Sequence, residues 1–487
     1  MRTCNLEGNR KKFIYFFIIL KKFNWFANVC VRRLNGCNFA IPVIRNERHC
    51  DHICVDGISK LPDEILVQIL SHLRTKEAVA TSILSKRWEY LWTSTSNLDF
   101  SDHFLTSYQN EIDLKQKSLI FKRYVDTAIF YHGTSILQRC QMTFHTKYFS
   151  DNIYTWICAL ITCNIKELRL FDYSLTAQQL PWRLFTCKSL VVLKIYGSFV
   201  LDLPTYVCFP SLRVLNLVYV MLVDDASMHK LLSSCPVLEK LLIVIGKNDF
   251  VRVLNISIPS LRKLIIHSEV QDSRIEINTP CLEYLRHRVV FGNSSSVNLL
   301  SSLIRAELFG NVNINLLNAI SQVRSLVLEK CFMQQLSIND TLPTFNNLKK
   351  MKLHGNFDWK LLLKILKLTP NLQVLVFPSG LVELRTDGLD FDRFNWHWHW
   401  HWPEFVPECL SMNVKTVEVR NFVGFEEELY FMKYLLECGK VMDKLIIRRF
   451  DFSTTPSIKK TVEDDKIMLE MLNYERGSTT CEVVFTA

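Results

Sequence analysis

The chain has 487 residues, of which 48% are apolar and 22% charged, and this composition indicates a folded protein of roughly two to four domains. Its 16 cysteines include no Cys-x-x-Cys pair, which favours reduced thiols in the nucleus or cytoplasm over a disulfide framework. Ten basic and four acidic residues lie in residues 1–56, so +6 of the net charge of +10 belongs to that segment. The remaining +4 gives little support to nucleic-acid binding by the folded part.

Residues 1–56 are predicted to be a basic N-terminal extension. The apolar run from Phe13 to Leu20 lies between two lysine pairs and is far shorter than the roughly 20 residues that cross a bilayer as a helix. No small-residue cleavage site follows it, so a signal peptide is not indicated, and we expect no integral membrane association. A flexible extension or a wrongly assigned start is favoured, and a peripheral membrane anchor remains an alternative.

Residues 57–95 are predicted to form three short helices. Pro62 suits a first helical position, and Asp63 and Glu64 place negative charge at the positive end of the helix dipole. Thr75 and Ser85 are candidate caps of the second and third helices. Apolar residues recur at three- and four-residue spacing, which lines one face of each helix. They are Ile65, Leu66, Ile69, Leu70 and Leu73, then Ala78, Val79 and Ile83, then Trp88, Leu91 and Trp92.

At these positions the chain resembles an F-box of the plant type, through ISKLPDEIL, ILSHL, TKEA and TSILSKRW. The resemblance implies a motif that docks the Skp-type adaptor, and through it cullin, of a Skp-cullin-F-box ubiquitin ligase. The residues implied to face the adaptor are Leu61, Pro62, Ile65, Ile69 and Leu73. Arg74 replaces a proline common in the family, a change expected to affect a loop and not docking. Apolar spacing alone would also fit a fragment of a larger helical core.

Residues 96–164 are predicted to be a packed helical connector and not a free linker. Phe121, Val125 and Ile129 have helical spacing. Ile153 and Trp156 begin a second helical pattern that continues through Ile157 and Leu160.

Residues 165–393 contain an internal repeat of the form L-x-x-L-x-L, where L is any apolar residue. The copies are Ile165-Leu168-Leu170, Leu190-Leu193-Ile195, Leu212-Leu215-Leu217, Leu238-Leu241-Ile243, Leu261-Leu264-Ile266, Leu282-Leu285-His287, Leu303-Ala306-Leu308, Val323-Leu326-Leu328, Leu348-Met351-Leu353 and Leu372-Leu375-Phe377, with Val414-Val417-Val419 and Met442-Leu445-Ile447 further on. The interval of 20 to 26 residues between Leu168 and Leu375 is typical of leucine-rich repeats.

The predicted fold class is α/β: a three-helix F-box, an irregular leucine-rich-repeat solenoid, and a C-terminal unit. Each repeat supplies a short strand with alternating buried and exposed residues, and the stacked strands form a parallel sheet. The repeats are irregular, with His287 and Ala306 at core positions, and together with the CPVLEKL segment from Cys235 this irregularity resembles plant F-box leucine-rich-repeat proteins. An ordinary α/β sheet would need longer helical connections than most intervals supply.

Residues 394–487 resemble the FBD region at the end of many plant F-box proteins. The matching residues are Trp402, Pro403, Pro407, Cys409, Leu410, Phe422, Gly424, Glu428, Leu435, Leu436 and the strand Leu445 to Ile447, with CEVVF from Cys481. The pattern predicts a strand, a helix carrying Tyr430 and Tyr434, and a second strand, with the helix covering the end of the solenoid.

No cofactor, metal or catalytic site is predicted. The cluster His49, Cys50, His52 and Cys54 has no usual zinc spacing, and His397, His399 and His401 would lie about 7 Å apart along an extended chain. The sequence has no Gly-rich phosphate loop, G-x-S-x-G or H-E-x-x-H motif, so an enzyme is disfavoured.

The concave face of the sheet is the predicted recognition surface. An apolar stretch flanked by cations suits a protein, or a small acidic ligand with an apolar body. The candidate substrate-binding residues are Lys194, Tyr196, Leu242, Val244, Ile265, Arg286 and Arg288. We expect a non-catalytic substrate-recognition subunit, and the alternative is a repeat scaffold or ligand-binding protein that does not join a ligase.

Overall fold

The computed structural model describes residues 58, 61–101, 111–132, 137–145, 149–174, 176–247, 249, 251–270, 274–289, 294–310, 312–329, 342–355, 359–381, 405–450 and 470–486. These residues fall into two compact units, 1–174 and 175–487. The N-terminal extension 1–56 and the histidine-tryptophan tract 396–402 lie outside the described residues. No helix in the described part is long and apolar enough to span a membrane.

The first unit begins with two α-helices and three 3-10 turns. Helix α1 is Asp63–Leu70 and helix α2 is Thr75–Ala80. The turns are Thr81–Ile83, Lys86–Trp88 and Leu91–Ser94. Asp63 and Glu64 occupy the first turn of α1, where negative charge stabilises the helix, and Pro62 precedes that turn as the N-cap.

Two details of the predicted helices were wrong. The third helix is divided into 3-10 turns, and Ser85 makes no capping hydrogen bond with its side chain. Thr75 is the first residue of α2 and does not cap it, since its Oγ1 accepts a hydrogen bond from the Asp99 backbone N–H at 2.7 Å. That bond ties the start of α2 to the neighbouring strand.

The segment 96–164 holds both predicted helices and two strands that the sequence analysis did not identify. The helices are α3 (Glu111–His132) and α4 (Ser150–Thr162). Strands β1 (Asn97–Ser101) and β2 (Arg139–Phe144) pair in parallel, and β2 pairs with β3 (Glu167–Asp172). Repeat-like strands therefore begin directly after the F-box helices.

The second unit is built on a long parallel sheet. In spatial order its strands are β5 (Val192–Tyr196), β7 (Val214–Val218), β9 (Lys240–Ile245), β11 (Lys263–Ser268), β13 (Tyr284–Val289), β15 (Arg305–Gly310), β16 (Ser325–Glu329), β17 (Lys350–His354), β18 (Val374–Phe377), β19 (Thr416–Phe422), β20 (Lys444–Arg449) and β21 (Glu482–Thr486). All the register pairs described between these neighbours are parallel.

Short strands and helices connect the main strands. One small sheet joins β4 (Gln178–Gln179), β6 (Phe199–Leu201) and β8 (Met221–Leu222), and another joins β10 (Val253–Ile256), β12 (Arg274–Ile277) and β14 (Ser294–Val297). The helices are α5 (Asp225–Ser233), α6 (Ile314–Ala319), α7 (Trp359–Lys367), α8 (Glu408–Met412) and α9 (Glu426–Cys438). The predicted C-terminal helix is α9, but it connects β19 to β20, and β21 is the last strand of the sheet.

All the predicted L-x-x-L-x-L copies contain a strand, and the copies of the second unit share one register. Leu193 pairs with Leu215, and Leu215 with Leu241, so the same position of each repeat lies side by side in the sheet. These side chains are fully or almost fully buried, whereas the residues between them are mostly half-buried or exposed. The alternation confirms that one face of the sheet contributes to the core.

One core position of the sheet holds a histidine. His287 is buried between strands whose matching residues are Ile266 and Leu308, and neither ring nitrogen has a hydrogen-bond partner. Burial lowers the pKa of His287 from 6.5 to about 4, so the ring is neutral in the folded protein at neutral pH.

A first prediction tests which face of the sheet is buried. Leu215→Asp places a carboxylate without a partner into the core and should cost on the order of several kcal/mol of stability. Asn216→Asp should cost less than about 0.5 kcal/mol, since Asn216 lies on the half-exposed face. Its amide nitrogen donates to the Tyr196 hydroxyl at 3.0 Å, and that hydroxyl can donate to a carboxylate instead. Thermal melts compare the two variants, and greater damage from Asn216→Asp would show that the assigned faces are inverted.

A second prediction concerns acid stability. Because the folded-state pKa of His287 lies below the unfolded value, the unfolded chain binds more protons as pH falls from about 6.5 towards about 4, and stability is lost over that window. His287→Leu removes this loss. The free energy of unfolding of His287→Leu minus that of the wild type should be about 2 kcal/mol larger at pH 5 than at pH 7.5.

Urea unfolding at the two pH values measures this difference. The same substitution at the exposed His229 controls for the general effect of replacing an imidazole by leucine. An equal gain from His287→Leu at both pH values would contradict a buried neutral imidazole.

Candidate interaction surfaces

The F-box helices divide their apolar residues between an interior and an exterior. Leu66 and Leu70 of α1 are buried together with Trp88, Leu91 and Trp92 of the 3-10 turns. Burying side chains of this size stabilises the small domain by roughly 1.5–3 kcal/mol each. The domain therefore has its own core.

Other apolar residues of the F-box remain accessible, and we call them the F-box surface: Leu61, Pro62, Ile65, Ile69, Leu73 and Ile83. Ile65 is 41% exposed and Ile83 is 48% exposed. Pro62 is exposed, while Leu61, Ile69 and Leu73 are half-buried. All the residues predicted to face the adaptor thus remain at least partly accessible. Ile83 was assigned from sequence only to the apolar face of its helix.

Polar contacts fix the edge of the F-box surface. The Arg87 guanidinium lies 2.6 Å from the Asp63 carboxylate and donates to the Leu61 carbonyl oxygen at 2.5 Å. These bonds hold the start of α1 against the second 3-10 turn. Arg74 has φ −65° and ψ 147°, values that proline also adopts, so the turn keeps the conformation that proline would give it.

The F-box is attached to the strand that follows it. The Asn97 side-chain amide donates to the Ser71 carbonyl at 3.3 Å. The His132 Nδ1 lies 3.0 Å from the Thr93 carbonyl oxygen, which links α3 to the last turn of the F-box. Together with the bond from Asp99 to Thr75, these contacts hold the F-box surface on a framework of strand and helix within the first unit.

One face of the long sheet in the second unit packs its apolar side chains into the core. We call the opposite face of this sheet the open face. The register of neighbouring strands aligns one residue of each strand in a row across this face, which we call the central row. It contains Lys194, Asn216, Leu242, Ile265, Arg286, Glu307, Val327 and Lys352. A second row two residues further along each strand, the upper row, contains Tyr196, Val218, Val244, His267, Arg288 and Phe309.

The candidate substrate-binding residues lie in these two rows. Leu242 is the register partner of Ile265, which is the partner of Arg286. Leu242, Val244 and Ile265 are half-buried, and Arg288 is exposed. Arg286 therefore adjoins the apolar stretch directly and Arg288 lies on the same strand, whereas Asn216 and Val218 separate Lys194 and Tyr196 from that stretch. The role of these residues in substrate binding stays a prediction.

A charged network organises the neighbouring strand. The Glu307 carboxylate lies 2.5 Å from the Arg305 guanidinium and 3.7 Å from that of Arg286. The Arg286 guanidinium also lies 5.1 Å from the ring centre of Phe309, within cation–π distance. Burial lowers the pKa of His267, and the positive charge of Arg288 lowers it further.

Strand alternation in the sequence predicts that Glu307 and Val327, each between two apolar positions of its repeat, are exposed on this face, but both are buried. Glu307 is buried because the two arginines enclose it, and Val327 is buried on the next strand. The accessible part of the open face is therefore narrower around β15 and β16 than the sequence indicated.

Metal-ligand geometry is absent from the described residues, where no group of three His, Cys, Asp or Glu side chains is placed to hold an ion. His397, His399 and His401 and the cluster from His49 to Cys54 lie outside those residues.

Comparison with known proteins assigns three successive regions of the chain to known families. Residues 58–100 match the F-box domain family, residues 153–377 match the leucine-rich repeats of FBD-associated F-box protein At5g56370, and residues 401–447 match the FBD family. The chain therefore combines an F-box, leucine-rich repeats and an FBD in that order.

Relatives match the chain over nearly their full length. F-box/FBD/LRR-repeat protein At4g00160 of Arabidopsis thaliana is 30% identical over 451 residues, which cover 88% of this chain and 94% of that protein. Putative FBD-associated F-box protein At5g56440 of the same organism is 30% identical, over 89% of this chain and all of the relative. The chain belongs to the family of F-box/FBD/LRR-repeat proteins.

Proposed function

We propose that this protein is the substrate-recognition subunit of a Skp-cullin-F-box ubiquitin ligase, acting in the nucleus or cytoplasm. The observation that carries the proposal is the F-box surface, where Ile65 and Ile83 remain exposed on a domain whose own core is already filled. Exposed apolar side chains clustered on a small folded unit are typical of a protein interface.

The adaptor occupies the F-box surface in this proposal. Its apolar side chains would cover Leu61, Pro62, Ile65, Ile69 and Leu73, and the half-buried ones need little rearrangement because α1 is already fixed by the Arg87 contacts. Preorganisation of this kind reduces the entropy cost of association.

The open face of the second unit binds the protein to be ubiquitinated. The protein itself is non-catalytic, and other subunits of the ligase transfer ubiquitin. Its contribution is to hold a target and the adaptor on one chain, which raises the effective concentration of the target near the transfer machinery.

The proposal is tested by adaptor binding to the purified full chain. Ile65→Asp forces a carboxylate into an apolar interface, so the affinity for a Skp-type adaptor should fall by more than about tenfold. The double variant Leu61→Asp/Pro62→Ala should give the same loss. Biolayer interferometry with immobilised adaptor measures both.

Leu119→Asp is the matched control. Leu119 is an exposed apolar residue on α3 of the same unit, so the substitution introduces the same charge outside the F-box surface. Its adaptor affinity should equal that of the wild type, and thermal melts verify that all variants fold. Undiminished binding by Ile65→Asp, or no binding by the wild type, would leave the alternative of a repeat scaffold outside a ligase.

A further inference from the structure

The open face carries a third row of residues, and it is basic. Two residues before the central row, the register aligns Lys240, Lys263, Tyr284, Arg305, Ser325 and Lys350. We call this the basic row. Its lysines and its arginine are exposed. The candidate residues named from sequence all lie in the central and upper rows and do not include this row.

Positive charge on this part of the sheet exceeds negative charge. On strands β9 to β17 the open face carries the basic residues Lys240, Lys263, Arg286, Arg288, Arg305, Lys350 and Lys352. The acidic residues on the same face are Glu269, Glu307 and Glu329, and each is already engaged. Glu307 binds Arg305 and Arg286, Glu329 accepts from the Gly310 N–H at 3.2 Å, and Glu269 lies 3.6 Å from His267.

Several of the cations are left without an acidic partner. Within the described residues, the side chains of Lys240, Arg288, Lys350 and Lys352 form no salt bridge or hydrogen bond. Lys350 and Lys352 lie on the same face of β17, roughly 7 Å apart, and Lys240 is the register partner of Lys263 on the neighbouring strand, about 4.8 Å away. These pairs of like charges are close enough to repel one another and to produce a local positive potential. An anionic ligand would relieve that repulsion.

The dimensions of the basic row fit an extended peptide. From β9 to β17 there are five strand steps, which span about 24 Å, and an extended segment of about seven residues covers that distance at roughly 3.3 Å per residue. Leu242 and Ile265 of the central row border the basic row at β9 and β11, and Val244 lies beyond Leu242 in the upper row, so the three side chains offer apolar contacts beside the charges. A segment that alternates acidic and apolar side chains matches both features.

The aromatic residues argue against single-stranded nucleic acid as the ligand. Bases bind such surfaces by stacking on open aromatic rings. The Tyr284 ring has the Lys263 ammonium 4.8 Å and the Arg305 guanidinium 5.8 Å from its centre. Phe309 has Arg286 over its ring. The aromatic rings of this surface are engaged by cations and are not free stacking platforms.

We propose that the open face between β9 and β17 binds an extended segment of a partner protein in which Asp or Glu residues alternate with apolar residues. The inference deepens the proposed function, since this segment would be the recognition element of the ubiquitination target. The basic row and Arg288 bind the carboxylates, and the stretch of Leu242, Val244 and Ile265 binds the apolar side chains.

The experiment is selection of a displayed library of random dodecapeptides on the full-length protein. The enriched peptides should carry a net negative charge with Asp or Glu at alternate positions. One enriched peptide, synthesised with a fluorescent label, should bind more weakly as salt concentration rises. Replacing each of its Asp and Glu residues by Asn and Gln should weaken binding by at least about tenfold.

Matched variants locate the binding site. Arg288→Glu and Lys350→Glu should each weaken peptide binding by about tenfold or more, and Arg288→Gln and Lys350→Gln less so. Lys360→Glu makes the same charge change at an exposed position of helix α7 and should leave the affinity within about twofold of the wild type. Fluorescence anisotropy gives these affinities, and thermal melts confirm folding.

Four outcomes would overturn the inference: no enrichment, enrichment of neutral or basic peptides, equal weakening by Lys360→Glu, or preferential binding of a uridine dodecanucleotide over the selected peptide. Adaptor binding is measured on the same preparations. If adaptor binding is retained while peptide binding fails, the inference is wrong and the proposed ligase function stands, so the two failures are distinguishable.

Discussion

The shared register of the parallel strands is the constraint on which the second unit depends. Most strands place two apolar side chains against the core, and the next strand places its own directly beside them, as with Leu193, Leu215 and Leu241. A parallel sheet has a side-chain period of two, so a slip of one residue would move this whole set to the other face. Burial of these apolar side chains therefore determines which residues of each strand face outward.

The register also determines which residues face outward, although these residues contribute little to the stability of the sheet. Lys240, Leu242 and Val244 alternate with Leu241, Ile243 and Ile245 on one strand. Changing an exposed residue costs little stability, whereas changing a core residue costs a great deal. The repeat architecture therefore permits the open face to differ between proteins of similar fold, which is the property expected of receptors for different targets.

The strands of the repeats were largely predictable because the interval stays between 20 and 26 residues from Leu168 to Leu375. Every predicted copy contains a strand, and the copies of the second unit align in the expected register. Strands β1 and β2 were not identified because the long helix α3 lies between them, so the matching residues Leu98 and Cys140 lie outside the repeat interval. The small sheets were also missed, since strands of two to four residues carry too little pattern.

The surfaces were predictable only in part. Helical spacing assigns Ile65 and Leu66 to one apolar face, but it does not indicate that Leu66 is buried while Ile65 is exposed. That difference arises from tertiary packing against the 3-10 turns, whose division the sequence did not reveal. Similarly, Glu307 looked exposed from strand alternation, and its burial depends on Arg305 and Arg286, which approach it from the same strand and the neighbouring one.

Glu307 also reduces the electrostatic repulsion between the cations of the open face, which would otherwise destabilise the sheet. A buried carboxylate is costly unless it is paired, and two arginines pair with it. The same contacts reduce the repulsion between Arg305 and Arg286 and hold their side chains in place, one near Tyr284 and the other over Phe309. Glu307 thus partly compensates the two arginines and leaves Arg288 and Lys350 beyond the network as the less compensated charges. Selectivity for an acidic segment would therefore come mainly from residues at the margins of the network, while the buried glutamate holds Arg305 and Arg286 in place.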